Sequence, residues 1–362
     1  MSAFPPTISP TELTDFLLAV RHKVFTKDPT DIITPRYPVF MRLESGKYNA
    51  VIEEPPGQGP VRDIYYQTED RITELSASVP QQPRDYRSQE NNTRAQYFWI
   101  QCISTLLVPS YEYDNCQTPD ALVSLIMRKK KGVDKSHRNK QVSYLWNGRT
   151  IGSEKLFGLA DVLRFTPTSD PSRGAVGMIS VDDLPSWTNK SKNYATAYKV
   201  YDTGAQTTTF LNNGSNSLSQ LWSDLGYNDQ DVQEAYPDLM PCNSPFYRCC
   251  EDLVTMRQMS TDVSGTQELG VSAISYKSAS VFEDRNVPDD PNDSTYGVCA
   301  LLNSNAWNVV YAQGIRNEWG APVVLQGDTA IAWDKKTQMT IAYEDLGRLG
   351  LLYGVIPTPS VS

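Results

Sequence analysis

The chain has 362 residues, 33 basic against 42 acidic side chains and a formal net charge of −9, with 40% hydrophobic and 21% charged residues. That is a globular composition, long enough for one large domain or two ordinary ones; it excludes a disordered polyelectrolyte, and 20 Tyr and 24 Pro favour strands and turns over a helical bundle. No apolar run of about 18 residues occurs, so no transmembrane helix and no membrane partner are expected.

The opening MSAFPPTISP lacks the basic start and apolar centre of a signal peptide. The first predicted element is SPTELTDFLLAVRHKVF, residues 9–25. Ser9 caps it, Pro10 suits its first position, and Leu13, Phe16, Leu17, Val20 and Val24 share one helical face that needs a partner surface. Residues 36–95 alternate strand-like pieces with Pro/Gly breaks and hold few large apolar side chains. YNAVIEE and RDIYYQTE flank PPGQGP, which predicts a long, extended two-stranded arm. AQYFWIQCISTLLVP, residues 95–109, reads as a buried strand or core segment. Thr118-Pro119-Asp120 then opens a long helix that ends at Asn147-Gly148, with Leu122, Leu125, Ile126, Val133 and Tyr144 or Leu145 on its apolar side.

In the middle of that helix stands MRKKKGVDKSHRNK, residues 127–140. Arg128, Lys129, Lys130, Lys131, Lys135, Arg138 and Lys140 face one acid, Asp134, a local charge of +6 that leaves −15 for the rest of the chain. The run reads as a nucleic-acid contact, a partner contact, or a solvated helix face.

Residues 150–215 are rich in Gly, Pro, Ser, Thr and Asn, with short strands predicted at GAVGMISV and TAYKVYD. A helix is expected from about Leu218 to Leu225, stopped by Gly226, then a strand, turn and helix in YPDLMPCNSPFYRCCEDLVTMRQ, the helix spanning Pro245 to Gln258. GVSAISYKSASVFED, YGVCALLNSNAWNVVYA, APVVLQG, TAIAWD and MTIAYEDLGRLGLLYGVI complete the chain as strand candidates.

The chemical inventory is sparse. His22 and His137 sit in basic helical segments and read as surface or helix-end histidines. No Walker loop, dinucleotide fingerprint, nucleophile elbow or zinc-protease motif occurs. Cys102, Cys116, Cys242, Cys249, Cys250 and Cys299 match no zinc spacing and read as reduced thiols. DDPNDSTYG, residues 289–297, has Thr295 where a calcium loop needs Gly, and reads as a polar turn. Glu53 and Glu54 are adjacent on a strand and point to opposite faces, which defeats a carboxylate dyad. No cofactor, metal or catalytic residue is expected.

A short amphipathic helix, a long arm, a long helix ending in Asn-Gly and a mixed second half form a distinctive order. It resembles tailed-bacteriophage major capsid proteins of the Hong Kong 97 fold. YPDLMPCNSPFYRCCEDLVTMRQ, Gly270, AISYKSASVFEDRNVP and YGVCALLNSNAW are similar to that family's closing succession, with Ser278 where relatives often carry Gly. LPSWTNKSKNY around Trp187 and Asn189 resembles a subgroup feature.

The resemblance implies an α+β fold with an N-arm at 1–40, an E-loop hairpin at 41–95 and a peripheral domain at 96–200 carrying the spine helix 118–147. It further implies an axial domain at 201–318 and a C-terminal return at 319–362. The implied function is a non-enzymatic subunit that assembles as hexamers and pentamers into an icosahedral virion shell. Such a shell would form in host cytoplasm and enclose double-stranded DNA without sequence specificity. A portal and a separate scaffolding protein would be partners, since a short N-arm leaves no room for fused scaffold. Some relatives join an arm lysine to a neighbour's asparagine; Lys47 and Asn49 lack a companion acid, so noncovalent assembly is expected. The alternatives are an encapsulin-like compartment around protein cargo and an unrecognised β-rich enzyme or binding protein.

Overall fold

The structure is a computed structural model and describes residues 38–44, 50–57, 59–65, 92–109, 111–112, 115, 119–151, 154–166, 175–180, 182, 184–193, 210–226, 236–257, 274–277, 279–325 and 330–355. The helix expected at 9–25, the arm's centre at 66–91, Lys47, Asn49, Ser278, His22, Cys116 and TAYKVYD lie outside the described residues.

In chain order, α1 (Pro38–Glu44) and β1 (Val51–Glu54) precede the PPGQGP break. β2 (Val61–Tyr65) and β3 (Asn92–Gln96) then form the root of the arm, and β4 (Ile100–Val108) follows. The long helix α2 (Pro119–Asn147) runs into the hairpin β5 (Arg149–Ile151) and β6 (Glu154–Leu156) and the short α3 (Leu159–Val162). Then come β7 (Lys190–Asn193), α4 (Phe210–Gly226), β8 (Leu239–Cys242), α5 (Ser244–Arg257), β9 (Ile274–Tyr276) and β10 (Ala279–Glu283). The chain closes with β11 (Gly297–Leu301), β12 (Trp307–Ala312), β13 (Glu318–Trp319), β14 (Val323–Leu325), β15 (Ala330–Tyr343) and β16 (Gly350–Val355).

Two six-stranded sheets organise these elements. The first is built on β15, whose 14 residues pair with β4 along one edge and with β14, β13 and β12 in succession along the other. The second has the order β7-β16-β11-β8-β10-β9. β11, β12 and β16 are buried along their whole length, which is why their sequences are almost wholly apolar rather than alternating, Asn308 of β12 being the polar exception. β15 alternates only at its centre, where Asp334, Lys336 and Gln338 turn from the core.

One core cluster joins both sheets to α1 and the end of α2, through Trp146, Phe282, Trp307, Tyr311 and Tyr343. Tyr97 donates its hydroxyl to Tyr343 O (2.8 Å) and Tyr343 donates to Phe157 O (3.0 Å), so these buried phenols leave no orphan polar tip. A second cluster packs α4 and α5 on the second sheet; a third packs the start of α2 on β4 and β15 through Leu122, Ile126, Trp319 and Trp333.

Several elements differ from the sequence pattern. YNAVIEE does not pair with RDIYYQTE: β1 joins the first sheet parallel to β12, and β2 pairs instead with β3, from Val61↔Gln96 to Tyr65↔Asn92. The parallel partner of β1 is more than 250 residues away, and no local turn signal reports such a pairing. Within GAVGMISV the described residues 175–180 form a tight turn with a Val176↔Ile179 bridge, its reversal made at Gly177 (φ 61°) and Met178 (φ 65°). AIAWD, the described part of TAIAWD, and MTIAY are one strand, β15. α4 begins at Phe210, ahead of the expected Leu218. α5 spans Ser244–Arg257, one residue earlier at each end than expected. DDPNDSTYG is the polar turn expected: Asp290 accepts from Asn292 N (2.8 Å) and Gly354 N (2.6 Å), and Asp293 accepts from Thr295 N (2.8 Å).

The arm root leaves the sheet at Gly59 (φ 107°), where an added Cβ would lie 1.9 Å from Tyr97 O. Tyr97 N also bonds Pro60 O (3.0 Å), so the two sides of the root are clamped there. Gly59→Ala is expected to cost about 2–3 kcal/mol, from the left-handed backbone and the backbone clash together. Denaturant unfolding would read this; an unchanged midpoint would show that the root is not held as described.

Candidate functional site

α2 begins with Pro119, which needs no N–H partner at its first position, and ends where Gly148 (φ 62°) reverses the chain and donates to Tyr144 O (2.9 Å). Helical spacing sorts its side chains into two stripes. Leu122, Ile126, Lys130, Asp134, His137, Gln141 and Leu145 are buried against the first sheet and the main core. Arg128, Lys131 and Lys135 stand on the opposite, exposed side.

The buried stripe is polar in its middle. Lys335 of β15 donates to Asp134 Oδ1 at 2.6 Å, with side-chain exposures of only 11% and 10%. One turn on, His137 is fully buried, its Nδ1 2.7 Å from Ser104 Oγ of β4 and its Nε2 2.8 Å from Thr337 Oγ1 of β15. Each hydroxyl can donate or accept, so both ring nitrogens of a neutral imidazole have a partner. Gln141 then donates to Thr337 Oγ1 (3.1 Å) and to Asn317 Oδ1 (3.0 Å), while Asn317 N donates to Thr337 Oγ1 (3.0 Å). His137 is therefore not the surface or helix-end residue its basic neighbours suggest. The i, i+3, i+4 spacing from Ile126 through Lys130 and Asp134 carried the signal, obscured because those two positions are charged.

The basic run is divided by the same geometry. Arg128, Lys131, Lys135 and Lys140 are exposed, the last 5.3 Å above the Tyr144 ring and turned off the stripe shared by the other three. Lys129 is ion-paired to Glu112 and donates to Leu107 O (3.1 Å), covering a carbonyl on the outer edge of β4. Lys130 is buried, 5% exposed. Arg138 pairs with Glu44 of α1 (2.8 Å) and lies 5.7 Å above the Phe40 ring. The seven residues thus do not form one patch.

A charge network roots the arm. Arg62 of β2 bridges Glu54 of β1 (2.6 Å) and Glu344 (3.3 Å), and Asn308 donates to Glu344 (2.9 Å). Arg316 joins Glu53 (3.3 Å) to Glu44 (3.4 Å), and Asp63 pairs with Arg94 across the β2–β3 ladder (3.1 Å). Glu53 and Glu54 do face opposite ways, and these acids find arginines within the same chain. Ile64 and Ala95 anchor the same ladder in the main core. The exposed large apolar side chains include Val61, Ile103, Leu107, Tyr111 and Val323, several of them on the open face of β4 and its neighbours. Among the described residues no three His, Cys, Asp or Glu side chains are grouped to hold a metal, and no helix is long and apolar enough to cross a membrane.

The sequence matches no family model and no curated protein. Solved structures do match along nearly the whole chain. The capsid of cyanophage A-1(L) covers 91% of this chain and 95% of its own at 13% identity, with a TM-score of 0.54. The capsid of Myoviridae phage XM1 covers 91% and 97% at 10% identity, with a TM-score of 0.52. The chain has the Hong Kong 97-type capsid fold. The holo-encapsulin complex of Synechococcus elongatus PCC 7942 shares it too, covering 95% and 97% at 14% identity, TM-score 0.51.

Two predictions test the seam. Burial, reinforced by the nearby Lys335 cation and opposed by Asp134, lowers the His137 pKa from about 6.5 to about 4. The unfolded chain binds this proton first, so the contribution is complete above pH 6.5 and is lost as pH falls from there toward 4, a change of about 2–3 kcal/mol. Urea midpoints at pH 7 and pH 4.5 should differ less in His137→Gln than in the native chain; equal differences would remove His137 as the cause. Separately, Asp134→Leu strands the Lys335 charge and should cost about 3–5 kcal/mol, with much of it regained in the Asp134→Leu/Lys335→Met double variant. A double variant no more stable than the single would deny their coupling.

Proposed function

We propose that the chain is the major subunit of an icosahedral shell that encloses double-stranded DNA, built from hexamers and pentamers. The observation that carries this reading is the match of the whole chain, over nine-tenths of its length, to whole subunits of phage capsids. In that assembly the N-arm is residues 1–40, the E-loop 41–95, the peripheral domain 96–200, the axial domain 201–318 and the return 319–362. The rooted ladder of β2 and β3 suits an E-loop that reaches a neighbouring subunit. A portal and a separate scaffolding protein complete the virion, with assembly in host cytoplasm. Nothing in the subunit needs to be catalytic for this role.

DNA as the content is supported by the charge distribution. Arg128, Lys131 and Lys135 share an exposed stripe on a chain that is otherwise acidic. Such a stripe suits phosphate, and it reads no base. The acids that could have drawn it to a neighbouring arm, Glu53, Glu54 and Asp63, already have arginine partners. Lys129, Lys130 and Arg138 belong to the subunit's own packing and do not share in this contact. The second reading, an encapsulin-like compartment, rests on the equally complete match to an encapsulin subunit.

Electron microscopy of the purified protein tests for shells, and their nucleic-acid content separates the two readings. Arg128→Gln/Lys131→Gln/Lys135→Gln should still form shells, while the slope of log affinity against log salt for DNA falls by about 2.7 for each contacting subunit. Shells that fail to form, or DNA retention that does not change, would sink the DNA-facing assignment of the stripe.

A further inference from the structure

Cys242 lies on β8 and Cys299 on β11, adjacent strands at the centre of the second sheet. They are direct antiparallel partners. Leu239 and Leu302 exchange both backbone hydrogen bonds (3.1 and 2.8 Å), and Asn243 N bonds Val298 O (3.0 Å). Hydrogen-bonded and non-hydrogen-bonded pairs alternate along an antiparallel ladder, so Cys242 and Cys299 form a non-hydrogen-bonded pair. Such pairs hold their Cα atoms about 4.5 Å apart, inside the span that a disulfide bridges. Directly opposed residues also point to one face, and both side chains lie in the same core cluster beneath α4 and α5.

We infer that Cys242 and Cys299 are a latent cross-strand disulfide, closed when the protein meets a small-molecule disulfide. Both thiols are now free, each with only a weak contact to a carbonyl: Cys242 Sγ to Phe282 O at 3.4 Å and Cys299 Sγ to Ala300 O at 3.7 Å. The bond would tie β8 to β11 across residues 243–298, which include α5 and the β9–β10 hairpin. Cys249 and Cys250 are sequence neighbours on one helix, and Cys102 lies in the other sheet. Cys249 and Cys250 share the cluster and are the competing thiols.

Both sulfurs are fully buried, and burial pushes both thiols well above their ordinary range, so the closed fold resists oxidation. The reaction runs through local opening. One thiol loses its proton and attacks oxidised glutathione, expelling one glutathione thiolate and leaving a mixed disulfide. The second, deprotonated in turn, attacks the protein sulfur of that bond and expels the other glutathione. Two protein thiols are oxidised, one glutathione disulfide is reduced to two thiols, and the two protons leave with them. This chemistry holds whether or not the chain builds a shell.

The test uses the full chain, fully reduced and then incubated with oxidised glutathione in mild urea. Alkylation of both thiols in the same urea without oxidant sets the time needed for opening. Non-reducing peptide mapping should give a Cys242–Cys299 cross-link, and the melting midpoint should rise by about 5 °C, reversibly with reductant. Cys250→Ala should keep this oxidant-dependent rise and Cys299→Ala should lose it; Cys242→Ala replaces the latter if it folds poorly. Recovery of both thiols uncrosslinked after many opening times, a cross-link to Cys249 or Cys250 instead, or an unchanged rise in Cys299→Ala would each overturn the inference.

Discussion

The contact between α2 and the β4–β15 pair is the constraint on which the rest of the fold depends. Apolar packing alone would let a 29-residue helix slide along a sheet at modest cost. The seam from Asp134 to Gln141 removes that freedom. A slip of one turn would leave Asp134, Lys335, His137 and Gln141 without partners together, and each buried orphan costs about 1–3 kcal/mol. The polar groups gain little net stability over hydrophobic side chains, but they admit one register.

That register has consequences at both ends of the helix. Leu122 and Ile126 meet Leu106, Trp319 and Trp333, and Trp146 enters the core shared by the two sheets. Arg138 is brought to Glu44, and Glu44 to Arg316, so α1, α2 and the β12–β13 connection share one carboxylate. The arm root is held by Arg62 and by Ile64 and Ala95, which makes it an extension of the main core rather than a loose tether.

The same packing sets which cations are available outside. An isolated helix with the sequence of residues 127–140 would present charge all round. Against the sheet it presents a narrow stripe, because Lys130 and Arg138 are turned to protein and Lys129 covers the edge of β4.

The sequence by itself determined much of the architecture. The bounds of α2 were legible from Pro119 and Gly148, and β11, β12 and β16 from their largely apolar runs. The order of these elements pointed to the fold that the solved structures share. What it could not determine was long-range pairing: β1 parallel to β12, AIAWD and MTIAY as a single strand, and Cys242 opposite Cys299 depend on partners far along the chain. Nor could it separate the buried cations from the exposed ones. Lys130 and Lys131 are chemically identical neighbours, about 100° apart around the helix axis, and only the sheet beneath decides which of them meets water. His137 makes the same point, since a neutral, buried imidazole among lysines becomes stable only when Ser104 and Thr337 arrive from two different strands to satisfy it.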